Sequence, residues 1–397
     1  MTIRSHCDHM LSFEQQLITM NGLSLLDHLS IVRDPRQQWK IEHKLADILF
    51  LTVASVIGGA EGWEDIEDFG HDHLDWLRQH GDFENGVPVH DTIARVMGML
   101  SAKQLQKCFA SWMQACYDMT EGEVIAIDGK TLRRSYDKGK RKGAIHMVSA
   151  FSAANQVVLG QVKTSEKSNE ITAIPELLEL LSIRGCLVTI DAMGCQRTIA
   201  KKILDKGADY LLAVKGNQPS LEAAFNDYFR LDMFQQEDAN SYSIQEVGHG
   251  RKETWLSLVV EDLSILGDLE YEWPALKTLG IVGTIRKEKG QPVKELDITV
   301  RYYISSAHLS PKEMLEATRS HWSIESPLHW RLDVGMREDD CRIRREQAGE
   351  NMAAIRHMAF NALNGDTSFK AGIKRKQKRA SRNTAYLSQV LSGLGLS

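Results

Sequence analysis

The sequence predicts an α/β protein whose strand-and-helix core follows an all-helical first segment. Three observations carry that prediction. Two short apolar runs, Val124-Ile125-Ala126-Ile127 and Leu187-Val188-Thr189-Ile190, each break at an aspartate into a glycine-containing turn, Asp128-Gly129-Lys130 and Asp191-Ala192-Met193-Gly194. Runs of β-branched and aliphatic residues that end this way read as buried strands. Upstream of residue 118 the apolar residues recur at spacings of three and four, a helical period. From Glu123 onward the pattern changes to strands alternating with helices.

In the first segment Ile66, Phe69, His73, Trp76 and Leu77 share one helical face, and Ile93, Val96, Met97 and Leu100 share another after the start signal His90-Asp91-Thr92. Asn85-Gly86 and Pro88 separate the two. Residues 1–118 therefore read as a helical domain for DNA binding, dimerisation or scaffolding, with no base-reading residues that choose among these. The longest apolar stretch, residues 45–60, contains Asp47 and falls short of the roughly 20 residues a membrane span needs, so it reads as a buried helix.

Downstream, Asp128 ends a first strand. Residues 145–151 and 157–162 flank Ala154-Asn155-Gln156 as an antiparallel hairpin, then come a helix at 171–181, a strand at 187–191, a helix at 198–206 and a strand at 210–214. Three antiparallel strands followed by α-β-α-β is the element order of a ribonuclease-H-like fold, and residues 119–218 form its first part. Asp128 and Asp191 are 63 residues apart, whereas Asp191 and Glu325 are 134 apart. One helix and one strand do not fill the second interval. Strand-like segments at 253–260, 278–286 and 298–305 make residues 219–310 a β-rich insertion. Ser310-Pro311-Lys312-Glu313 carries helix-start signals, so residues 311–366 read as core helices carrying Glu325, and residues 367–397 as a basic tail.

The chain has 397 residues, 43% hydrophobic and 25% charged, enough for two or three domains of an ordinary globular protein. Its first ten residues hold no apolar signal core, and its six cysteines show no Cys-x-x-Cys spacing, which points to reduced thiols in a cytoplasmic protein without membrane attachment. The net charge of −5 conceals two basic clusters. Lys130, Arg133, Arg134, Lys138, Lys140, Arg141 and Lys142 are opposed only by Asp137, and Lys370, Lys374, Arg375, Lys376, Lys378, Arg379 and Arg382 by no acid within residues 370–382. Such clusters are what a phosphate backbone meets.

Open α/β sheets place their sites at the carboxyl ends of strands, where both aspartates emerge. A single aspartate there is more often a helix cap or turn former. A third acid, Glu325, lies far downstream within His321-Trp322-Ser323-Ile324-Glu325-Ser326-Pro327-Leu328-His329-Trp330, with Asp333, Glu338, Asp339 and Asp340 as nearby competitors that the residues alone leave open. An acidic cluster is costly unless a cation neutralises it. Hard oxygen ligands without a His/Cys pattern favour Mg²⁺ or Mn²⁺.

The stretch Ile125-Ala126-Ile127-Asp128-Gly129-Lys130-Thr131-Leu132-Arg133-Arg134 is followed in order by Asp191-Ala192-Met193-Gly194-Cys195-Gln196, Val214-Lys215-Gly216-Asn217-Gln218 and the region 321–334. Together they resemble the bacterial insertion-sequence DDE transposases, in the group containing the H-repeat-associated (Rhs element) proteins, over nearly the whole chain. The resemblance implies metal-dependent DNA cleavage and strand transfer, with Asp128, Asp191 and Glu325 as catalytic metal ligands. It further implies double-stranded DNA as partner, at element ends and target, and a homodimer on that DNA. Lys130, Arg133, Arg134, Lys215, Asn217, Arg319, His321 and Trp322 are the residues expected to hold DNA. Trp322 and Trp330 either stack on an unpaired base or pack in a core. A ribonuclease-H-like nuclease that stops at hydrolysis, and an inactive DNA-binding remnant, are the rival readings. The sequence departs from the family pattern at Ser326-Pro327. Proline inside a helix costs about 3 kcal/mol or more unless it opens a new turn.

Overall fold

Two compact units divide the chain, one formed by residues 1–118 with 335–397 and the other by residues 119–334. The computed structural model describes residues 25–30, 32–117, 119–136, 144–164, 170–230, 233–234, 240–248, 251–288, 298–322 and 324–392. Cys7, Asp137, Lys138, Lys140, Arg141, Lys142 and Ser323, all singled out above, lie outside these residues.

The first unit begins with α1 (Leu25–Ser30), α2 (Leu45–Ile57), α3 (Trp63–Asp72), α4 (Leu74–Leu77), α5 (His90–Met99) and α6 (Ala102–Cys116). The apolar run forms α2, in which every residue but Ala46 is buried. Its one acid is satisfied locally: Asp47 accepts from the backbone N–H of Asp82 at 3.1 Å and of Phe83 at 3.0 Å, so its burial leaves no polar group orphaned. Among the described residues no helix is long and apolar enough to cross a membrane. Cys108, Cys116, Cys186, Cys195 and Cys341 carry no disulfide.

The second unit is built on β1 (Val124–Thr131), β2 (His146–Ser152), β3 (Val157–Thr164), α7 (Glu170–Leu180), β4 (Leu187–Ile190), α8 (Arg197–Asp205), β5 (Asp209–Val214), α9 (Pro219–Tyr228), β6 (Ser241–Gly248), β7 (Arg251–Val260), β8 (Thr278–Glu288), β9 (Ile298–Ser305) and α10 (Pro311–His321). A single nine-stranded sheet has the order β3-β2-β1-β4-β5-β9-β8-β7-β6. β1 is antiparallel to β2 and parallel to β4, β4 is parallel to β5, and β5 is antiparallel to β9. The strands of the 219–310 region thus extend the same sheet from the β5 edge. β6 carries no clean apolar alternation and is mostly exposed, which is why no sequence pattern marked it.

β1 does not stop at Asp128. It runs to Thr131 because β2 keeps pairing with it as far as Thr131 opposite His146, whereas its parallel pairing with β4 ends at Ile127 opposite Ile190. α10 starts as its signals indicate: Ser310 Oγ accepts from the Glu313 N–H at 3.3 Å, and Glu313 Oε2 accepts from the Ser310 N–H at 2.9 Å. A π-helical turn, Ile324–Trp330, then leads into α11 (Arg331–Met336).

Chain after α11 returns to the first unit as α12 (Ala348–Gly365), α13 (Ile373–Ala380) and α14 (Thr384–Ser392). This corrects two sequence expectations. Residues 335–366 group with the N-terminal helices rather than with the segment carrying Glu325, because α12 is buried almost all round and packs against α2, α5 and α6. Asn351 Nδ2 on α12 donates to the carbonyls of Met97 at 2.7 Å and Leu100 at 3.1 Å, closing the end of α5. The described part of the basic segment, residues 367–392, is folded as well. Ile373, Ala380, Tyr386, Leu387, Val390 and Leu391 are all buried.

Lys376 explains how a basic segment can be core. Its buried ammonium donates to the carbonyls of Leu363 at 2.7 Å and Asp366 at 2.5 Å, capping the end of α12, and lies 3.6 Å from the Asp366 carboxylate. Tyr386 Oη donates to the same carboxylate at 2.7 Å. Removing one member of a buried pair typically costs about 3–5 kcal/mol, while an exposed lysine is worth about 0.5 kcal/mol or less. Lys376→Met is therefore expected to lower unfolding free energy by several times more than Lys378→Met, whose side chain is exposed. Urea denaturation of the two variants checks this, and equal midpoints would refute the capping role.

Candidate active site

Asp128 and Asp191 stand side by side because β1 and β4 are parallel neighbours and Ile127 is in register with Ile190. Both apolar runs are buried, so each aspartate is the first polar residue as its strand leaves the core. Asp191 also caps the 3-10 turn Ala192–Gly194, its Oδ1 accepting from the N–H of Met193 at 2.9 Å and of Gly194 at 3.3 Å. Glu325 comes from the π-helical turn, between buried Ile324 and Leu328, and its own side chain is exposed. All three acids line one cavity of about 210 Å³ with Lys215, Arg301, His321 and Trp322.

Carboxylates outnumber cations at this cavity, Asp128, Asp191 and Glu325 against Lys215 and Arg301. Burial, opposed in part by the Gly129 N–H and reinforced by the charges of Asp191, Glu170 and Glu325, pushes the Asp128 carboxyl up to about 7. His329 Nδ1 lies 3.7 Å from Asp128 Oδ2. His321 contributes no opposing charge at neutral pH, since burial pushes its imidazole down to about 4. Its Nδ1 shares a hydrogen bond of 2.9 Å with Thr189 Oγ1. Among the described residues no three His, Cys, Asp or Glu side chains already converge at ligand spacing. Asp191 is turned toward the turn it caps. The donor set, three carboxylates around one small cavity, fits a hard divalent cation.

Not all the expected DNA contacts reach the cavity. Lys215, His321 and Trp322 line it; Lys130, Arg133, Arg134, Asn217 and Arg319 do not. Lys130 is paired with Asp333, bracing β1 against α11. Asn217 Nδ2 donates to the Ala192 carbonyl and Gln218 Nε2 to the Cys195 carbonyl at 2.9 Å, tying the loop after β5 to the Asp191 turn. Arg319 is bonded to Glu246 at 2.7 and 2.9 Å and lies 5.2 Å over the Trp255 ring. Trp322 is held edge-on to Trp255 at 5.9 Å with the Arg301 guanidinium 4.0 Å over its ring, so it is a packing platform rather than an open stacking surface. Trp330 is the exposed tryptophan of this motif, at 61%. Arg133 and Arg134 are exposed in the turn after β1.

Sequence reasoning missed Arg301, whose signal was a cation inside the apolar strand Ile298–Ser305. It also missed the buried pair His146 and Glu170, 2.6 Å apart, which lies so close behind Gly129 that a Cβ there would meet Glu170 Oε1 at 2.3 Å and His146 Nε2 at 2.4 Å. Asp128-Gly129 needs its glycine for this approach, not for a turn. Pro327 lies in the first turn of the π-helix, where N–H groups have no partner within the helix in any case, so its missing donor is tolerated.

Comparison with known proteins identifies the class. Residues 119–362 match the model of the transposase DDE domain, and residues 26–113 match the region described as DDE_Tnp_1-associated. "H repeat-associated putative transposase YhhI" of Escherichia coli (strain K12) is 54% identical over 94% of this chain and 99% of its own length. "Putative transposase YncI" of Escherichia coli O157:H7 is 55% identical over 94% of this chain and 95% of its own. The chain belongs to the bacterial DDE transposase family.

The turn that presents Asp191 depends on Gly194, where a Cβ would meet Ile190 Cγ2 at 2.2 Å and Ile174 Cδ1 at 3.1 Å. Overpacking of this kind costs about 1–3 kcal/mol. Gly194→Ala is expected to lower the denaturation midpoint accordingly, whereas Gly216→Ala, whose nearest neighbour would be Glu222 Oε2 at 3.9 Å, is expected to leave it unchanged. Thermal denaturation of both variants tests the assignment.

Proposed function

We propose that this protein cuts DNA at the ends of an insertion sequence and joins the freed ends to target DNA, using a ribonuclease-H-like core. The order β3-β2-β1-β4-β5, with β1 antiparallel to β2 and β4 and β5 parallel to β1, supports that core. In this reading residues 119–218 form the first part of the core, residues 219–310 the insertion that widens its sheet, and residues 311–334 the segment that returns Glu325 to the strand ends. The observation that carries the proposal is the presence of Asp128, Asp191 and Glu325 in one cavity, from three segments far apart in the chain.

In the first step a water oxygen forms a bond to phosphorus and the bond from phosphorus to the 3′ oxygen breaks, leaving a 3′-OH and a 5′-phosphate. That 3′-OH then attacks a target phosphodiester, and the target's own 3′ oxygen leaves. Two divalent cations, Mg²⁺ or Mn²⁺, would supply stabilisation of the charge on the entering and leaving oxygens. Asp128, Asp191 and Glu325 would together hold these cations. Lys215 and Arg301 face the same cavity and balance phosphate charge. The neutral His321 ring, bonded to Thr189, orients the segment entering the π-helical turn without competing for the phosphate. Arg133 and Arg134 extend the basic surface along the DNA. Because joining requires two ends together, the working species is a homodimer on DNA, located with the chromosome in the cytoplasm.

One observation favours the inactive remnant as a second reading: Glu325 is exposed and sits in a π-helical turn that also contains Pro327. A strand-transfer assay with element-end DNA and Mg²⁺ separates the readings. Nicking followed by joining supports transposition, nicking alone a nuclease, and binding without nicking the remnant. Asp128→Asn, Asp191→Asn and Glu325→Gln are each expected to reduce nicking by about 10²-fold or more, while DNA affinity stays within a few-fold. Mn²⁺ titration followed by electron paramagnetic resonance should show weakened ion binding in the same variants. Full nicking by either aspartate variant at saturating Mg²⁺ would remove that residue from the site.

A further inference from the structure

The structure separates the residues of the second basic cluster by role. α13 buries Ile373, Lys376, Gln377 and Ala380 and turns Lys374, Arg375, Lys378 and Arg379 outward. Lys370 and Arg382 flank them, both exposed, and no acid occurs within residues 370–382. The arginines are pre-set rather than loose. Arg379 lies 4.5 Å over the Phe369 ring and 4.7 Å over the Tyr386 ring, and Arg375 lies 5.3 Å over Phe369. Stacking of this kind leaves the guanidinium edges directed outward and reduces the rotamer entropy lost when they bind. One acid pairs with the cluster: Glu61 Oε1 lies 3.9 Å from Lys374 Nζ.

We infer that this face of α13 is a second DNA contact, gripping the phosphate backbone of a duplex without regard to sequence. The inference rests on the DNA-processing reading above and adds a surface in the other unit of the protein. A face made of a helix of eight residues spans about 12 Å, which covers roughly three or four phosphates at 3.4 Å of rise per strand. Its cations are exposed rather than enclosed, suited to an extended polyanion more than to a small anion. The one amide on the helix, Gln377, is buried, so the outward face offers cations to phosphate and no amide to adenine. Solvation of an ordinary surface would not call for six exposed cations with one acid, Glu61, paired to them in a chain of net charge −5.

The test uses the full chain and fluorescence-labelled duplex DNA of random sequence, with affinity measured by anisotropy over a range of salt. Lys374→Gln, Arg375→Gln and Lys378→Gln combined should weaken binding by about tenfold and flatten the plot of log affinity against log salt by about 2.7, at 0.9 per lost phosphate contact. The charge-preserving combination Lys374→Arg, Arg375→Lys and Lys378→Arg should keep the native slope, which separates charge loss from misfolding. Nicking at saturating protein should persist in both. An unchanged slope in the neutralised variant overturns the inference while leaving the proposed function standing. Loss of binding confined to single-stranded RNA of equal charge would overturn the duplex assignment. Wild-type protein that binds no duplex at all would overturn both.

Discussion

The constraint on which the rest depends is the convergence of carboxylates at the ends of buried parallel strands. Asp128 is held up to about 7 by burial and by three neighbouring acids, so the fold maintains a repulsive cluster that it does not neutralise itself. Lys130 is spent on Asp333 and His321 is kept neutral by burial, leaving Lys215 and Arg301 as the cations lining the cavity. In the proposed chemistry a hard divalent cation would offset these carboxylates. The surrounding architecture serves that placement. The parallel pairing of β1 with β4 sets the two aspartates adjacent, Gly129 lets His146 and Glu170 close behind the strand, and the Lys130 bridge braces the segment that follows Glu325.

Much of this was legible because the sheet's centre is written in apolar runs. The middles of β1, β4 and β5 are buried, and such strands show as short, mainly apolar runs, of which those of β1 and β4 break at an aspartate. α10 was legible from Ser310 and Glu313, whose capping box is local chemistry. β6 was not, since an exposed outer strand needs no apolar pattern and is defined by the neighbour it pairs with. The end of β1 was misplaced for the same reason: partnership with β2, not the residues of β1, carries it to Thr131.

The C-terminal region shows a different limit. A row of lysines and arginines reads as solvated tail when charge is all that is counted, yet Lys376 is buried and caps α12 while Lys378, two residues on, is exposed. Helical periodicity was present in Ile373, Lys376, Gln377 and Ala380, but two of those four positions are polar, so no apolar stripe announced a core face. What makes Lys376 tolerable is the end of another helix, whose orphan carbonyls need a donor.

The candidate site illustrates the same division between residue type and residue role. Asp128 and Asp191 could be singled out as candidates from their chemistry and strand-end position, whereas Glu325 became a candidate through the resemblance of its motif. The DNA contacts could not be assigned as a group, because a cation becomes available to phosphate only when the protein does not use it first. Arg319 is spent on Glu246, Asn217 on the Ala192 carbonyl, and Trp322 on Trp255 and Arg301. Arg301, by contrast, enters the cavity from a strand in which a cation reads as an interruption. The π-helical turn joins the two themes. By widening the helix where Pro327 has no donor to give, it accommodates the proline, and the position of Glu325 then follows from the geometry of that turn rather than from a continuous α-helix running on from α10.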